Sequence, residues 1–368
     1  MKFLRQKKSL YFSSGPTKKP YAISLFNNIF YQSRETFGRS HRSSYWSDRT
    51  KEIVADIRKK LHIPEDYKVA LVAGSATGAM EMLLWNLIGH KTVDIFSCDA
   101  YSGIWRDDII TQLKIKTYND YSEKPGFSPD YKKYNPNHDC TFCYVYTANG
   151  VQVPDLNWIP STRKGLTICD ATTGVFCYDI DWKKLDATGF SFQKGLGAEA
   201  GIGMIVLSKR AQKRLENFVP KDRPMPYLFD LRKHTKVFDA HVINTQSTMV
   251  LEDLKRSLDA LPDDYADRVT RNFQIIRKWV AARKELKFLS QDMKTTSRAA
   301  PCVTVKHFST RDDYLVVSKL LEKKGLVYDI IGNHFAPPCF RFWCGPHIEK
   351  EELERLTQIL DDALSLEV

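Results

Sequence analysis

Between Tyr67 and Ser208, short apolar runs alternate with helix-patterned segments, and this alternation limits the possible folds more than any other feature of the chain. Tyr67-Lys-Val-Ala-Leu-Val-Ala73 reads as a strand and breaks into Gly74-Ser-Ala-Thr-Gly78. It continues as a helix with Met80, Leu83, Leu84, Leu87 and Ile88 at i, i+3, i+4, i+7, i+8 spacing. Val93-Asp-Ile-Phe-Ser97, a helix over 105–113, a strand run ending at Thr147 and the strand Leu166-Thr-Ile-Cys-Asp170 follow. Strand, helix and strand in succession predict a mostly parallel sheet flanked by helices, an α/β architecture.

With 368 residues, 43% of them apolar, the chain can bury two cores. After a Pro-rich link at 220–226, the pattern changes. Val269, Phe273, Ile276 and Val280 mark a long amphipathic helix, Cys302-Val-Thr-Val-Lys306 a strand, 314–321 a helix, and Leu353, Leu356, Leu360 and Leu364 a final helix. Phe340-Arg-Phe-Trp-Cys-Gly345 alternates like a strand, with Arg341 and Trp343 on one face. The expected division is a large domain over 16–250 and a smaller α+β domain over 251–368 that also takes the N-terminal segment 1–15. The turn Ser14-Gly-Pro16 reads as surface.

Two polar residues stand where the apolar runs end. Asp170 closes its strand, and in an open α/β sheet ligands bind outside the carboxyl ends of the strands. Lys194 follows the period-2 pair Phe190 and Phe192 and precedes the glycine-rich stretch to Gly203-Met-Ile-Val-Leu-Ser208, so it occupies a strand–loop–strand corner. An amine so placed, with its pKa depressed, suits Schiff-base chemistry; a solvated loop lysine is the plainer alternative. An aspartate facing a pyridine nitrogen is the partner such a lysine needs in pyridoxal-phosphate chemistry; alone, Asp170 also reads as a turn or cap residue.

Three further features admit a functional and a plain reading. Gly74–Gly78, between strand and helix N-terminus, offers backbone N–H groups and the positive dipole end to an anion, or is a simple βα turn. Arg39, His41 and Arg42 lie among small residues, an anion-binding loop or a basic surface. Trp105 follows Tyr101-Ser-Gly103 and either stacks on a ligand ring or packs in the core.

Composition narrows the function classes. The net charge of +11 fits anionic partners, but the basic residues are scattered without a long block or nucleic-acid motif, so nucleic acid is not expected. No run of 18 apolar residues exists and the first ten residues lack a signal-peptide core, so a soluble, cytoplasmic protein without a membrane partner is expected. Cys140 and Cys143 fall on one strand and point to opposite faces, and no metal site is expected from them.

Ser14-Gly-Pro16, Ser40-His-Arg-Ser43, Asp170-Ala-Thr172, Gln193-Lys194, Asn244-Thr245 and the late Arg341, in this order, resemble the phosphoserine aminotransferases, in particular their archaeal and proteobacterial branch. These are class V enzymes of the fold-type I pyridoxal-phosphate-dependent transferases, and the resemblance spans nearly the whole chain. It implies transfer of an amino group between glutamate and 3-phosphohydroxypyruvate in serine biosynthesis, by a homodimer with pyridoxal 5'-phosphate as cofactor. It leaves open whether 4-phosphohydroxythreonine of pyridoxine biosynthesis is also a substrate.

Residue by residue, the resemblance implies that Lys194 forms the Schiff base with the cofactor and Asp170 pairs with the pyridine nitrogen. It has Trp105 stack on the ring and Thr147 bond the phenolic oxygen. Gln193 and the Ser75–Ala76 backbone would hold the cofactor phosphate, with Asn244 and Thr245 reaching it from the partner subunit. Arg341 would bind the substrate α-carboxylate, and His41 with Arg42 the distal phosphate or carboxylate. One departure stands out: many members carry an arginine where this chain has Thr77, and Arg39 is the candidate replacement. The alternatives are another class V activity of the alanine– or serine–glyoxylate type, which needs no distal anion clamp, and a non-catalytic ligand-binding protein on the same fold.

Overall fold

A computed structural model describes residues 9–14, 16–20, 36–89, 91–138, 140–144, 150–153, 155–332 and 336–365. Thr147 and Gly15 lie outside them. The large sheet has seven strands in the order β2-β8-β7-β6-β5-β3-β4. These are β2 Lys68–Ala73, β3 Val93–Phe96, β4 Tyr118–Asp120, β5 Cys140–Tyr144, β6 Leu166–Asp170, β7 Ala187–Ser191 and β8 Ile202–Leu207. β4, β3, β5, β6 and β7 pair in parallel, and β8 runs antiparallel to both β7 and β2.

Strands β6, β7 and β8 are buried along their whole length, as strands covered on both faces must be. The period of two sorts their side chains between two cores. Val69, Leu71, Phe190, Ile202, Met204 and Val206 face helices α1 Ser44–Lys60 and α5 Thr248–Ala260. Ala70, Val72, Ala187, Ile205 and Leu207 face α2 Ser75–Leu87, α3 Ala100–Asp107 and α4 Lys209–Asn217. The helix expected over 105–113 is thus two elements, α3 and a π-helical turn over Asp108–Gln112.

A second core gathers α6 Tyr265–Ala281, α7 Arg311–Lys323 and α8 Lys350–Ser365 around a three-stranded antiparallel sheet, β12-β10-β9. Its strands are β9 Leu286–Phe288, β10 Cys302–Val305 and β12 Phe340–Arg341. The N-terminal strand β1, Leu10–Tyr11, pairs in parallel with β11, Val327–Tyr328, and buries Leu10 and Phe12 in this core. Helix α5 has no counterpart in the sequence reading and packs instead into the large-sheet core, against α1. The run after Phe340 leaves the sheet early. Only Phe340 and Arg341 count as strand, and Phe342 and Cys344 donate their N–H groups to Pro301 and Ala299 carbonyls.

Glycine decides how closely α2 meets the sheet. A Cβ on Gly78 would lie 2.0 Å from Ala73 O, and one on Gly203 2.1 Å from Ser75 O, so neither position accepts a side chain without displacing backbone. That contact sets the N-terminus of α2 beside the carboxyl end of β7, where Ser191 pairs with Gly203. Among the described residues, no helix is long and apolar enough to cross a membrane.

Candidate active site

The site begins at the end of β6. Asp170 Oδ1 accepts the Thr172 backbone N–H at 2.9 Å and the Thr172 hydroxyl at 2.6 Å, while Oδ2 accepts the Trp105 indole N–H at 3.0 Å. A short side chain at a strand end, with the next turn folding back on it, leaves the carboxylate one orientation. Trp105 is 4% exposed and its N–H is committed to Asp170, so its edge supports the carboxylate from the core side. The ring that stands over Lys194 Nζ, at 5.3 Å, is Tyr101, whose side is open to solvent at 39% exposure.

Lys194 sits three residues beyond β7. Its Nζ donates to Thr173 Oγ1 at 3.0 Å, and its carbonyl accepts from Gly197 N–H at 3.0 Å and the Thr17 hydroxyl at 2.7 Å. Thr17 also donates its N–H to Gln193 O, and Ala198 donates to Phe192 O. The turn expected to be plain surface therefore leads into a segment that holds the lysine loop. From the segment before α8, His347 donates its Nε2–H to Leu196 O at 3.0 Å.

The electrostatics follow from burial. Desolvation pushes the Lys194 amine below its ordinary value; the Asp170 and Asp99 carboxylates and Cys177 pull it back up, and the Arg341 guanidinium pushes it down again. Asp99, the N-cap of α3 in a reciprocal capping box with Ser102, is itself raised by burial. The Arg341 guanidinium, half-buried at the end of β12, thus acts on the lysine through its charge. His347 is held near 4 by burial and stays neutral.

Two α-helix N-termini among the described residues have neither a side-chain cap bond nor an acidic residue in the first turn. Helix α2 starts at Gly74, with no side-chain cap and no acidic residue in its first turn. Ser75 N–H donates to Gly201 O at 3.3 Å and Ser75 Oγ accepts Gly201 N–H at 2.7 Å, so Ser75 closes the corner and the first-turn donors facing outward are those of Ala76 and Thr77. Helix α1 follows His41 and Arg42, and its N-cap Ser43 makes no capping bond. Arg42 is exposed, and His41 Nε2 and Ser43 Oγ are buried without a hydrogen-bond partner among the described residues. Asn244 and Thr245 are exposed in the segment before α5 and line a cavity of about 160 Å³ with Ala73, Gly201 and Ile202.

The structure therefore brings Asp170, Lys194, Trp105, Gln193 and Arg341 together with three residues that no local pattern marked, Thr173, Tyr101 and Asp99. No hydrogen bond or ion pair joins His41, Arg42, Asn244 or Thr245 to that group among the described residues.

No protein-family model matches the chain. It is 36% identical over 365 residues to a phosphoserine aminotransferase of Methanosarcina barkeri, covering 96% of each, and 36% identical to that of Methanosarcina mazei over the full length of both. The chain belongs to the phosphoserine aminotransferase family. The family's fold is seen in the enzyme of Cytophaga hutchinsonii (TM-score 0.81, 20% identity, 96% of this chain and 98% of that one). The pyridoxal-phosphate-bound phosphoserine aminotransferase of Trichomonas vaginalis superimposes as well (TM-score 0.81, 18% identity, 96% and 100%). As a phosphoserine aminotransferase family member the chain is a pyridoxal-phosphate-dependent aminotransferase of fold type I.

The residues present fit that cofactor. Ser191 Oγ is a buried hydroxyl with no partner among the described residues, and with the α2 N-terminus it offers O–H and N–H donors to a phosphate.

Proposed function

We propose that the chain moves an amino group between glutamate and 3-phosphohydroxypyruvate, giving 2-oxoglutarate and 3-phosphoserine, as a cytoplasmic homodimer serving serine synthesis. The observation that carries the residue assignments is the pair Asp170 and Lys194, each fixed by one of two adjacent threonines of a single turn. Gln193 and the N–H groups of Ala76 and Thr77 would hold the cofactor phosphate, joined by Asn244 and Thr245 of a second subunit. Thr147 remains the proposed donor to the phenolic oxygen. Trp105 remains the proposed stacking ring, because its N–H bond to Asp170 lies in the ring plane and does not engage the ring face, and Tyr101 stands over Lys194 Nζ.

Bound there, the pyridoxal ring supplies the electron sink for the α-carbon of the amino acid. Asp170, oriented by its three hydrogen bonds, would keep a proton on the ring nitrogen. Lys194 Nζ, its basicity lowered by burial, would take the α-proton from the substrate and return it two bonds away, across the intervening nitrogen, both positions lying within reach of a single short swing. Arg341 orients the substrate by its α-carboxylate with a two-pronged contact. Arg42 and His41, beside the uncapped start of α1, recognise the distal phosphate or carboxylate.

The test is a half-reaction panel, following the absorbance of bound cofactor with glutamate, phosphoserine, alanine and serine. Glutamate and phosphoserine are expected to react, and alanine and serine to be at least about 10²-fold slower, as expected for the loss of a charge-assisted contact. Equal reaction with alanine or serine moves the assignment to a glyoxylate-type class V enzyme.

A further inference from the structure

The turn that closes β6 carries two threonines whose hydroxyls point to two different partners. Ala171 O accepts the N–H groups of Gly174 and Val175, which winds the turn tightly, and Thr172 and Thr173 are 4% and 3% exposed. Thr172 serves Asp170. Thr173 Oγ1 is the polar atom on Lys194 Nζ, at 3.0 Å; the amine forms no ion pair among the described residues, and the Tyr101 ring covers it. A long, flexible side chain in a half-buried site is thereby restricted to one end point, which saves the entropy of finding it in each turnover.

We propose that Thr173 is a positioning residue for Lys194, its hydroxyl holding the amine at the point from which it exchanges a proton with substrate whenever the amine is free. The inference rests on the reading of Lys194 as the reactive amine. The hydroxyl accepts from the amine in both charge states and more strongly from the ammonium, so removing it disfavours the charged form. The other groups acting on Lys194 are Asp170, Asp99, Cys177 and Arg341, and none of them is altered by a change at position 173.

Thr173→Val keeps the shape and removes the acceptor, Thr173→Ala removes it with less bulk, and Thr173→Ser restores it. In the cofactor-free full-length chain, acylation of Lys194 by acetic anhydride is read by peptide mass spectrometry across pH. The labelling midpoint is expected to fall by about one pH unit in the Val and Ala variants and to return in Ser, the size expected for losing one hydrogen bond to a charged group. In the holoenzyme, kcat for the glutamate half-reaction should drop about tenfold with KM changed less than about twofold, since the interaction acts on the proton-transfer step. Unchanged midpoint and kcat in both Val and Ala, or a Ser variant that behaves like Val, overturns the proposal. Lys194→Ala separates the two claims: if that variant turns over repeatedly, the reading of the site fails whatever Thr173 does.

Discussion

The pair at the end of the large sheet and the anion-binding segments differ in how much of their structure one chain supplies. Asp170 has three hydrogen bonds, Lys194 a hydroxyl and a ring, and the lysine loop bonds to Thr17 and His347. Arg42, Asn244 and Thr245 are exposed, and among the described residues Asn244 bonds only its neighbour's carbonyl, Thr245 O. The first region is organised before anything binds. The second consists of donors at a helix start and in a polar segment, to be ordered by a ligand or a second chain at an entropic cost. Reactive geometry has to be exact to fractions of an ångström, whereas a distal anion needs only charge and reach.

The comparison breaks most directly at Lys194. Lys194→Ala should bind pyridoxal phosphate yet lose at least about 10³-fold in kcat, because the proton-transfer group is removed while phosphate contacts remain. Retained multiple turnover, measured in a coupled assay for 2-oxoglutarate, would show that the organised region is not the reacting one. Asp170→Ala should cost about 10²- to 10³-fold and weaken cofactor binding together, read by kinetics and by equilibrium dialysis.

Arg42→Ala sharpens the contrast with the second region. It should lower kcat/KM for phosphoserine and glutamate about 10²-fold and leave alanine, which has no distal anion, nearly unchanged. Arg341→Ala should reduce all three. If alanine suffers as much as phosphoserine from the Arg42 change, that arginine is structural and the anion is to be sought at Arg39. The second-chain part of the reading predicts that an inactive Lys194→Ala protein mixed with an inactive Asn244→Ala/Thr245→Ala protein regains partial activity through hybrid dimers. A fully active monomer by light scattering contradicts it.

The smallest effect concerns the tie between the lysine loop and the segment before α8. His347 is neutral in the fold down to about pH 4, whereas the unfolded chain protonates it near 6.5. Between these values the unfolded state binds the extra proton, so this contribution to stability is complete above about pH 6.5 and is lost as pH falls toward 4. The loss should be on the order of 3 kcal/mol. His347→Gln keeps a donor for Leu196 O and does not titrate, so its Tm should fall less steeply with acid than the wild type's; parallel Tm curves would show that His347 contributes nothing to the acid limb.

Asp170 and Lys194 were legible because each ends a strand of strong periodicity, where chemistry stands out against an apolar background. The resemblance added Arg341 and Gln193, which the structure sets in the same group. Trp105 was legible as an aromatic near the site but not as the hydrogen-bond support of Asp170, since which ring faces a ligand depends on the helix phase of α3 against β6. Thr173, Tyr101, Asp99 and Thr17 carried no local signal: a threonine in a turn or a tyrosine at a helix start is ordinary until its partner is known.

The sequence by itself determined the alternating architecture and the two faces of the large sheet, because periods of two and 3.6 are properties of a few neighbouring residues and of water. Val69 and Leu71 go to one core and Ala70 and Val72 to the other for that reason alone. Only the tertiary structure decided that β8 enters antiparallel, that α5 joins the large core, and that Arg341 and His347 meet a lysine loop far away in the chain, His347 lying 151 residues from its partner Leu196. Those pairings depend on which surfaces remain to be buried once the local elements exist, and the depressed basicity of Lys194 depends on the desolvation that their meeting creates.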